Sequence, residues 1–194
     1  MIIYIVGGFL GSGKTTIMIE MAKRFISKGK KVTILVNEIG EIGVDGTTVR
    51  GNGLESVEMT EGCICCSLSG TLQSTMKEIE QQFDPDILII EPTGLALPHK
   101  VQEIIRGTVD DERVVIIGIC DAYRFDKLKE KKEEFLRMQL SKSDYLWINK
   151  VDIADFEHVF EVSSWLREIC PKAPVTMVSG KTGEGLEEAF SQID

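Results

Sequence analysis

The stretch "GFLGSGKT" at residues 8–15 sets Gly8, Gly11, Gly13, Lys14 and Thr15 in the pattern G-x-x-x-x-G-K-[ST], between an apolar run and an amphipathic one. Glycines so spaced let successive backbone N–H groups close around a phosphate chain, and the following helix adds its positive N-terminal end. Lys14 would then reach the terminal phosphates and the Thr15 hydroxyl would ligate Mg²⁺, with Ser12 in the turn and Thr16 beside the α-phosphate. Farther on, "DILIIEPTG" ends an apolar run on Glu91 and brings Gly94 three residues later. An acid at the carboxyl end of a buried strand can orient the Mg²⁺ shell through water, and the Gly94 N–H can meet a γ-phosphate. Residues 92–100 are therefore a candidate switch segment.

A second constellation is "GCICC" at 62–66, with thiols at Cys63, Cys65 and Cys66. Packing, a redox role and a metal site are all open. A Cys65–Cys66 bridge would be strained, and Cys63–Cys65 lacks the usual redox spacing. In extended backbone Cys63 and Cys65 share one side, while Cys66 begins the turn into a helix whose N-terminus favours thiolates. Clustered soft ligands prefer Zn²⁺ or Cu(I) to Mg²⁺, so metal binding is the favoured reading. Zinc would want a fourth ligand, from water, Glu41, His99 or a second protomer.

A third constellation, "INKVD", presents Asn149, Lys150 and Asp152 just after an apolar run. It resembles the Asn-Lys-x-Asp guanine-recognition motif of GTPases. The Asp152 carboxylate can accept from the guanine ring N1–H and the exocyclic amine, a pairing adenine does not supply. Lys150 would lay its stem over the base. Downstream, "SGKTGEG" looks like the loop whose backbone meets the guanine O6, through Ser179, Gly180 and Lys181. Coming in order after a phosphate loop and a strand-ending acid, these residues favour GTP over ATP.

These groups must be held by an alternating framework. Short β-branched runs at 2–6, 31–36, 86–90, 113–119, 145–149 and 174–178 alternate with amphipathic stretches, the pattern of an α/β protein with a parallel sheet. Ile17, Met21 and Phe25 follow helical spacing up to Gly29, and Leu68, Leu72, Met76, Ile79 and Phe83 do so up to Asp84-Pro85. The segment 37–62 breaks the rhythm; rich in glycine and carboxylates, it offers only "SVEM" as a short strand and leads into the thiols. A chain of 194 residues, 43% hydrophobic, can bury one sizeable core, and one domain over 1–194 is expected. The net charge of −9 gives no footprint for nucleic acid or an anionic membrane. With no secretory h-region and no membrane-length apolar run, the expected location is cytoplasmic. Five cysteines in such a chain do not describe an extracellular disulfide framework, and Cys120 and Cys170 read as buried packing.

Taken together, "GGFLGSGKTT", "NEIGEIGVD", "GCICCS", "EPTGLALP", "CDA", "QLSKSDYLWINKVD" and "SGKTGEG" resemble the CobW/HypB/UreG group of metal-handling GTPases, nearest its CobW-like branch. The resemblance runs along essentially the whole chain. It implies a SIMIBI-type P-loop NTPase with a mostly parallel sheet of about six or seven strands and helices on both faces. It also implies GTP hydrolysis to GDP with Mg²⁺, and delivery of Zn²⁺, Co²⁺ or Ni²⁺, or of a metal cofactor, to a client metalloprotein or cofactor-dependent enzyme. A homodimer is a further implication. By the same likeness Cys63, Cys65 and Cys66 hold the transition metal, with Glu38 and Glu41 as candidate further ligands or hydrolytic groups; His99, in the switch segment, is a further possible ligand. Lys14, Glu38, Glu41, Asp45 and Glu91 are the catalytic candidates; no glutamine follows Gly94 to orient the attacking water, which leaves that task to Glu38, Glu41 or Asp45. CobW-like proteins commonly continue into a C-terminal domain, often histidine-rich. This chain holds only His99 and His158, so a GTPase domain without that second domain is expected. Two other readings stand beside this one: a metal-sensing module that binds GTP without appreciable turnover, and a phosphotransferase built on the same loop.

Overall fold

The computed structural model describes residues 1–36, 54–58, 68–108 and 113–194, with only the backbone course of 54–58 and 68–71. Seven parallel strands form one sheet in the order β3-β2-β4-β1-β5-β6-β7. They are β1 (Ile2–Gly8), β2 (Val32–Val36), β3 (Leu54–Glu58), β4 (Ile87–Glu91), β5 (Arg113–Asp121), β6 (Tyr145–Asn149) and β7 (Val175–Met177). The helices are α1 (Lys14–Ser27), α2 (Leu68–Phe83), α3 (Pro98–Arg106), α4 (Phe125–Leu140), α5 (Phe156–Ile169) and α6 (Leu186–Ser191). The six strands expected from β-branched runs all form, and β3 pairs at the sheet edge, overlapping "SVEM".

Alternation along the strands divides the core by face. Tyr4 and Val6, with Val115, Ile117 and Trp147, turn toward α1 and α6. Ile3 and Ile5, with Leu88 and Ile116, turn toward α2 and α3. Leu146 and Ile148 continue that second face under α4 and α5. Covered on both sides, the central strands need apolar side chains at every position, which is why they read as continuous runs. Among the described residues no helix is long and apolar enough to cross a membrane.

Two elements differ from their sequence pattern. In helix α4 Lys132 has φ −146°, ψ 29°, a kink that shifts the phase between Phe125 and the Leu136–Leu140 pair, and the first half is mostly charged. Strand β5 runs two residues beyond its apolar stretch and carries Asp121 to the same sheet edge as Gly8, Glu91 and Asn149. In an open parallel sheet that edge, at the carboxyl ends of the strands, is where ligands bind.

Candidate functional site

The phosphate-loop residues sit between β1 and α1, where Gly13 takes a left-handed conformation (φ 92°) ahead of Lys14. A side chain at Gly13 would have its Cβ 2.2 Å from Asn149 Nδ2, so both backbone shape and space require glycine. Lys14 is 5% exposed and its Nζ lies 3.6 Å from Glu91 Oε1, while the Thr15 hydroxyl donates to Glu91 Oε2 at 2.7 Å. A cation, a hydroxyl and a carboxylate thus meet where the sequence places phosphate and Mg²⁺. The fully buried Ser12 Oγ has no hydrogen-bond partner among the described residues, an orphan polar atom inside the loop. Gly94 lies directly on the loop, since a Cβ there would stand 2.7 Å from Leu10 N.

The base-side residues are tied into the same frame. Asn149, buried at the end of β6, donates from Nδ2 to Ser12 O at 2.7 Å and accepts the Gly180 N–H on Oδ1 at 2.9 Å. Lys150 takes the left-handed region (φ 69°), and its Nζ donates to Gly11 O at 2.8 Å. Asp152 Oδ1 accepts from the Ser179 hydroxyl at 2.7 Å. Gly180 packs against α1, with Thr16 Cγ2 3.3 Å from where its Cβ would stand. Ser179, Gly180 and Lys181 are the residues whose loop is expected to meet the guanine O6. The Ser179 N–H donates to Glu184 O and the Gly180 N–H to Asn149 Oδ1, as the loop closes on itself and on β6. The Ser179 hydroxyl bonds to Asp152, and Lys181 is exposed.

Three residues escaped the sequence reading as site residues. Asp121, its side chain fully buried, receives the Lys150 ammonium at 2.8 Å and Arg124 Nε at 2.6 Å. Arg124 reaches on through Nη2 to Leu10 O at 2.6 Å, so this acid anchors two cations that each grip a loop carbonyl. The third is Gln139 of α4, buried, donating from Nε2 to Gly94 O at 3.0 Å and Ala96 O at 3.1 Å. "CDA" carried a trace of Asp121 and "QLSKSDYLWINKVD", which begins at Gln139, a trace of that glutamine, but neither stretch told what its residue would hold.

Glu38, Glu41, Asp45, Cys63, Cys65 and Cys66 lie outside the described residues. Among the described residues no three His, Cys, Asp or Glu side chains gather as a metal site. His99 is the second residue of α3; its Nδ1 is buried without a partner among the described residues, and burial, then the charge of Lys142, hold its pKa below the ordinary value. His158 meets Ala122 O through Nε2 at 3.1 Å and packs beside Phe125, because α5 folds back onto the start of α4. Cys120 and Cys170 are buried as expected, and burial pushes the Cys120 thiol up to about 12, which keeps it protonated and inert.

The family model for the CobW/HypB/UreG nucleotide-binding domain matches residues 2–177. The chain belongs to the CobW/HypB/UreG family. Within it, the chain is 32% identical to the zinc chaperone CobW of Sinorhizobium sp, over 93% of its own length and 59% of that relative's. It therefore spans about three-fifths of that curated relative. In fold it resembles the hydrogenase maturation factor HypB of Archaeoglobus fulgidus, with a TM-score of 0.74 and 22% identity, over 100% of this chain and 88% of that one. The Zn(II)-bound YjiA GTPase of E. coli gives a TM-score of 0.65 and 23% identity, over 92% of this chain and 57% of that one. These likenesses bear out the SIMIBI-type P-loop architecture expected for the CobW/HypB/UreG group.

Proposed function

We propose that this chain binds GTP with Mg²⁺, hydrolyses it, and couples nucleotide state to a transition metal held by Cys63, Cys65 and Cys66, as a cytoplasmic metallochaperone or cofactor-insertion unit. The observation that carries the guanine reading is the bonding of Asn149 to Ser12 O and to the Gly180 N–H, which fixes the base loops relative to the phosphate loop. Asp152, steadied by Ser179, turns its carboxylate to the guanine N1–H and amine, and the Lys150 stem lies over the ring. Lys14 would hold the phosphates and the Thr15 hydroxyl would ligate Mg²⁺, with Glu91 keeping that hydroxyl in place. This set of hard oxygen donors suits Mg²⁺, which when bound neutralises charge on the β- and γ-phosphates. The Gly94 N–H meets the γ-phosphate, and Glu38, Glu41 or Asp45 orients water.

Support for the metal cargo comes from the relatives' names, a zinc chaperone and a Zn(II)-bound GTPase, together with the chemistry of three clustered thiols. The client is a metalloprotein or cofactor-dependent enzyme, and neither nucleic acid nor membrane is a partner. The experiment is a Zn²⁺ titration of the protein loaded with GDP or with a non-hydrolysable GTP analogue. Equal Zn²⁺ affinities in the two states would sink the coupling. GTP turnover no faster than solution hydrolysis, with and without zinc, would favour a nucleotide-stabilised metal sensor instead.

A further inference from the structure

Helix α4 supports both walls of the phosphate mouth. Arg124, at its N-cap, grips Leu10 O, and Phe135 on its second half meets Phe9 of the phosphate loop edge-on at 6.2 Å. In the last turn, Gln139 grips Gly94 O and Ala96 O, and Gly94 in turn lies against the Leu10 backbone. The segment held this way is a β-turn, closed by the Ala96 N–H on Thr93 O at 2.9 Å, with Gly94 and Leu95 at its centre. The Gly94 carbonyl and the Leu95 N–H share one trans peptide plane and point opposite ways. Whatever holds that carbonyl toward α4 turns the Leu95 N–H away from α4 and sets the lie of Gly94 on the loop.

We propose that Gln139 is a positioning residue for the terminal-phosphate segment, clamping the Gly94–Leu95 peptide plane so that this turn presents its N–H groups to the γ-phosphate. The amide orientation is unambiguous, because both neighbours are carbonyl oxygens and only the NH₂ group can serve them. That orientation leaves Gln139 Oε1 buried and without a partner among the described residues. An unpaired buried acceptor is destabilising, so packing alone does not account for an amide here. The two donated bonds are what a glutamine adds over a leucine or methionine of similar size. The clamp acts in the state with a terminal phosphate and is silent with GDP, since GDP does not reach Gly94.

This inference rests on the guanine-nucleotide reading above, and binding by the unaltered protein tests that reading separately: failure to bind GDP and GTP analogue overturns both. Given binding, Gln139→Leu is expected to weaken a non-hydrolysable GTP analogue about tenfold, the loss of two hydrogen bonds, with GDP affinity within about twofold. Turnover at saturating GTP falls in parallel. Gln139→Glu keeps the length but sets a carboxylate against two carbonyls, and is expected to lose more analogue affinity than Gln139→Leu at neutral pH. If Gln139→Leu folds poorly, Gln139→Met serves in its place. A purely structural role would lower the melting temperature and leave the ratio of analogue to GDP affinity unchanged; that unchanged ratio in the Leu (or Met) and Glu variants overturns the proposal.

Discussion

The two ends of the site are built on different terms. At the proposed base end each of the three candidate side chains is already bonded: Asn149 to Ser12 and Gly180, Lys150 to Gly11 and Asp121, Asp152 to Ser179. At the proposed phosphate end Lys14 and Thr15 converge on Glu91, the group with which phosphate and Mg²⁺ would share them. A base site preorganised in this way loses little on binding and can be selective, because a wrong base leaves fixed polar groups unpaired. A phosphate site whose donors must be shared responds to what arrives, and a responsive site is what a nucleotide switch requires.

Substitutions at each end should separate these behaviours. The largest effect is expected from Lys14→Ala, which removes the phosphate cation and leaves the Glu91 charge less compensated. GTP turnover should fall about 10²–10³-fold in a phosphate-release assay, as when a single charge-stabilising donor is lost. Asp152→Asn comes next: GTP affinity should fall about 30-fold, the cost of a hydrogen bond to a charged acceptor, while XTP improves because its 2-carbonyl accepts from the new amide. Competition binding with both nucleotides checks it, and equal losses for GTP and XTP would mean that Asp152 supports the loop rather than reads the base.

Gly94→Ala places a methyl 2.7 Å from the Leu10 backbone nitrogen, where neither main chain can yield cheaply. Affinity for a GTP analogue should drop about tenfold with GDP nearly unaffected, a loss of order 1.4 kcal/mol by calorimetry. Asp121→Asn weakens the anchor of Lys150 and Arg124, whose partial exposure limits the cost to roughly 2 kcal/mol of folding stability in denaturant titration. It should also weaken GDP and GTP alike, the mark of a base-end defect.

The smallest effect concerns His99. Burial and then Lys142 depress its pKa below the ordinary 6.5, so the unfolded chain binds a proton more readily than the folded one. The stability this contributes is present above about pH 6.5 and is lost as pH falls through the depressed value. Melting curves from pH 7.5 downward should show that acid limb, and His99→Gln should flatten it.

Much of the fold was legible in the residues, since six runs of apolar β-branched residues became six strands and the stripes through Ile17 and Leu72 became α1 and α2. Local chemistry marked the phosphate loop and "INKVD" because glycines before a helix and an Asn-Lys-x-Asp after a strand carry their geometry within a few residues. Helix α4 was legible only as one of the amphipathic stretches between apolar runs, because its kink shifts the phase of its apolar positions and its charged first half hides them. The role of Gln139 was hidden because its partners lie 45 and 43 positions away in sequence.

Sequence alone marked what is chemically special: which side chains can grip phosphate, read a purine or hold a soft metal, and that parallel strands must carry them. Only tertiary structure decided which groups hold those side chains in place. Asp121 under Lys150, Arg124 on Leu10 and Gln139 on Gly94 are ordinary residue types, and their part depends on contacts made across the sheet edge. Short-range pattern records the groups that act, because their chemistry demands particular residue types. The groups that position them are set by where the chain returns, and no local spacing encodes that.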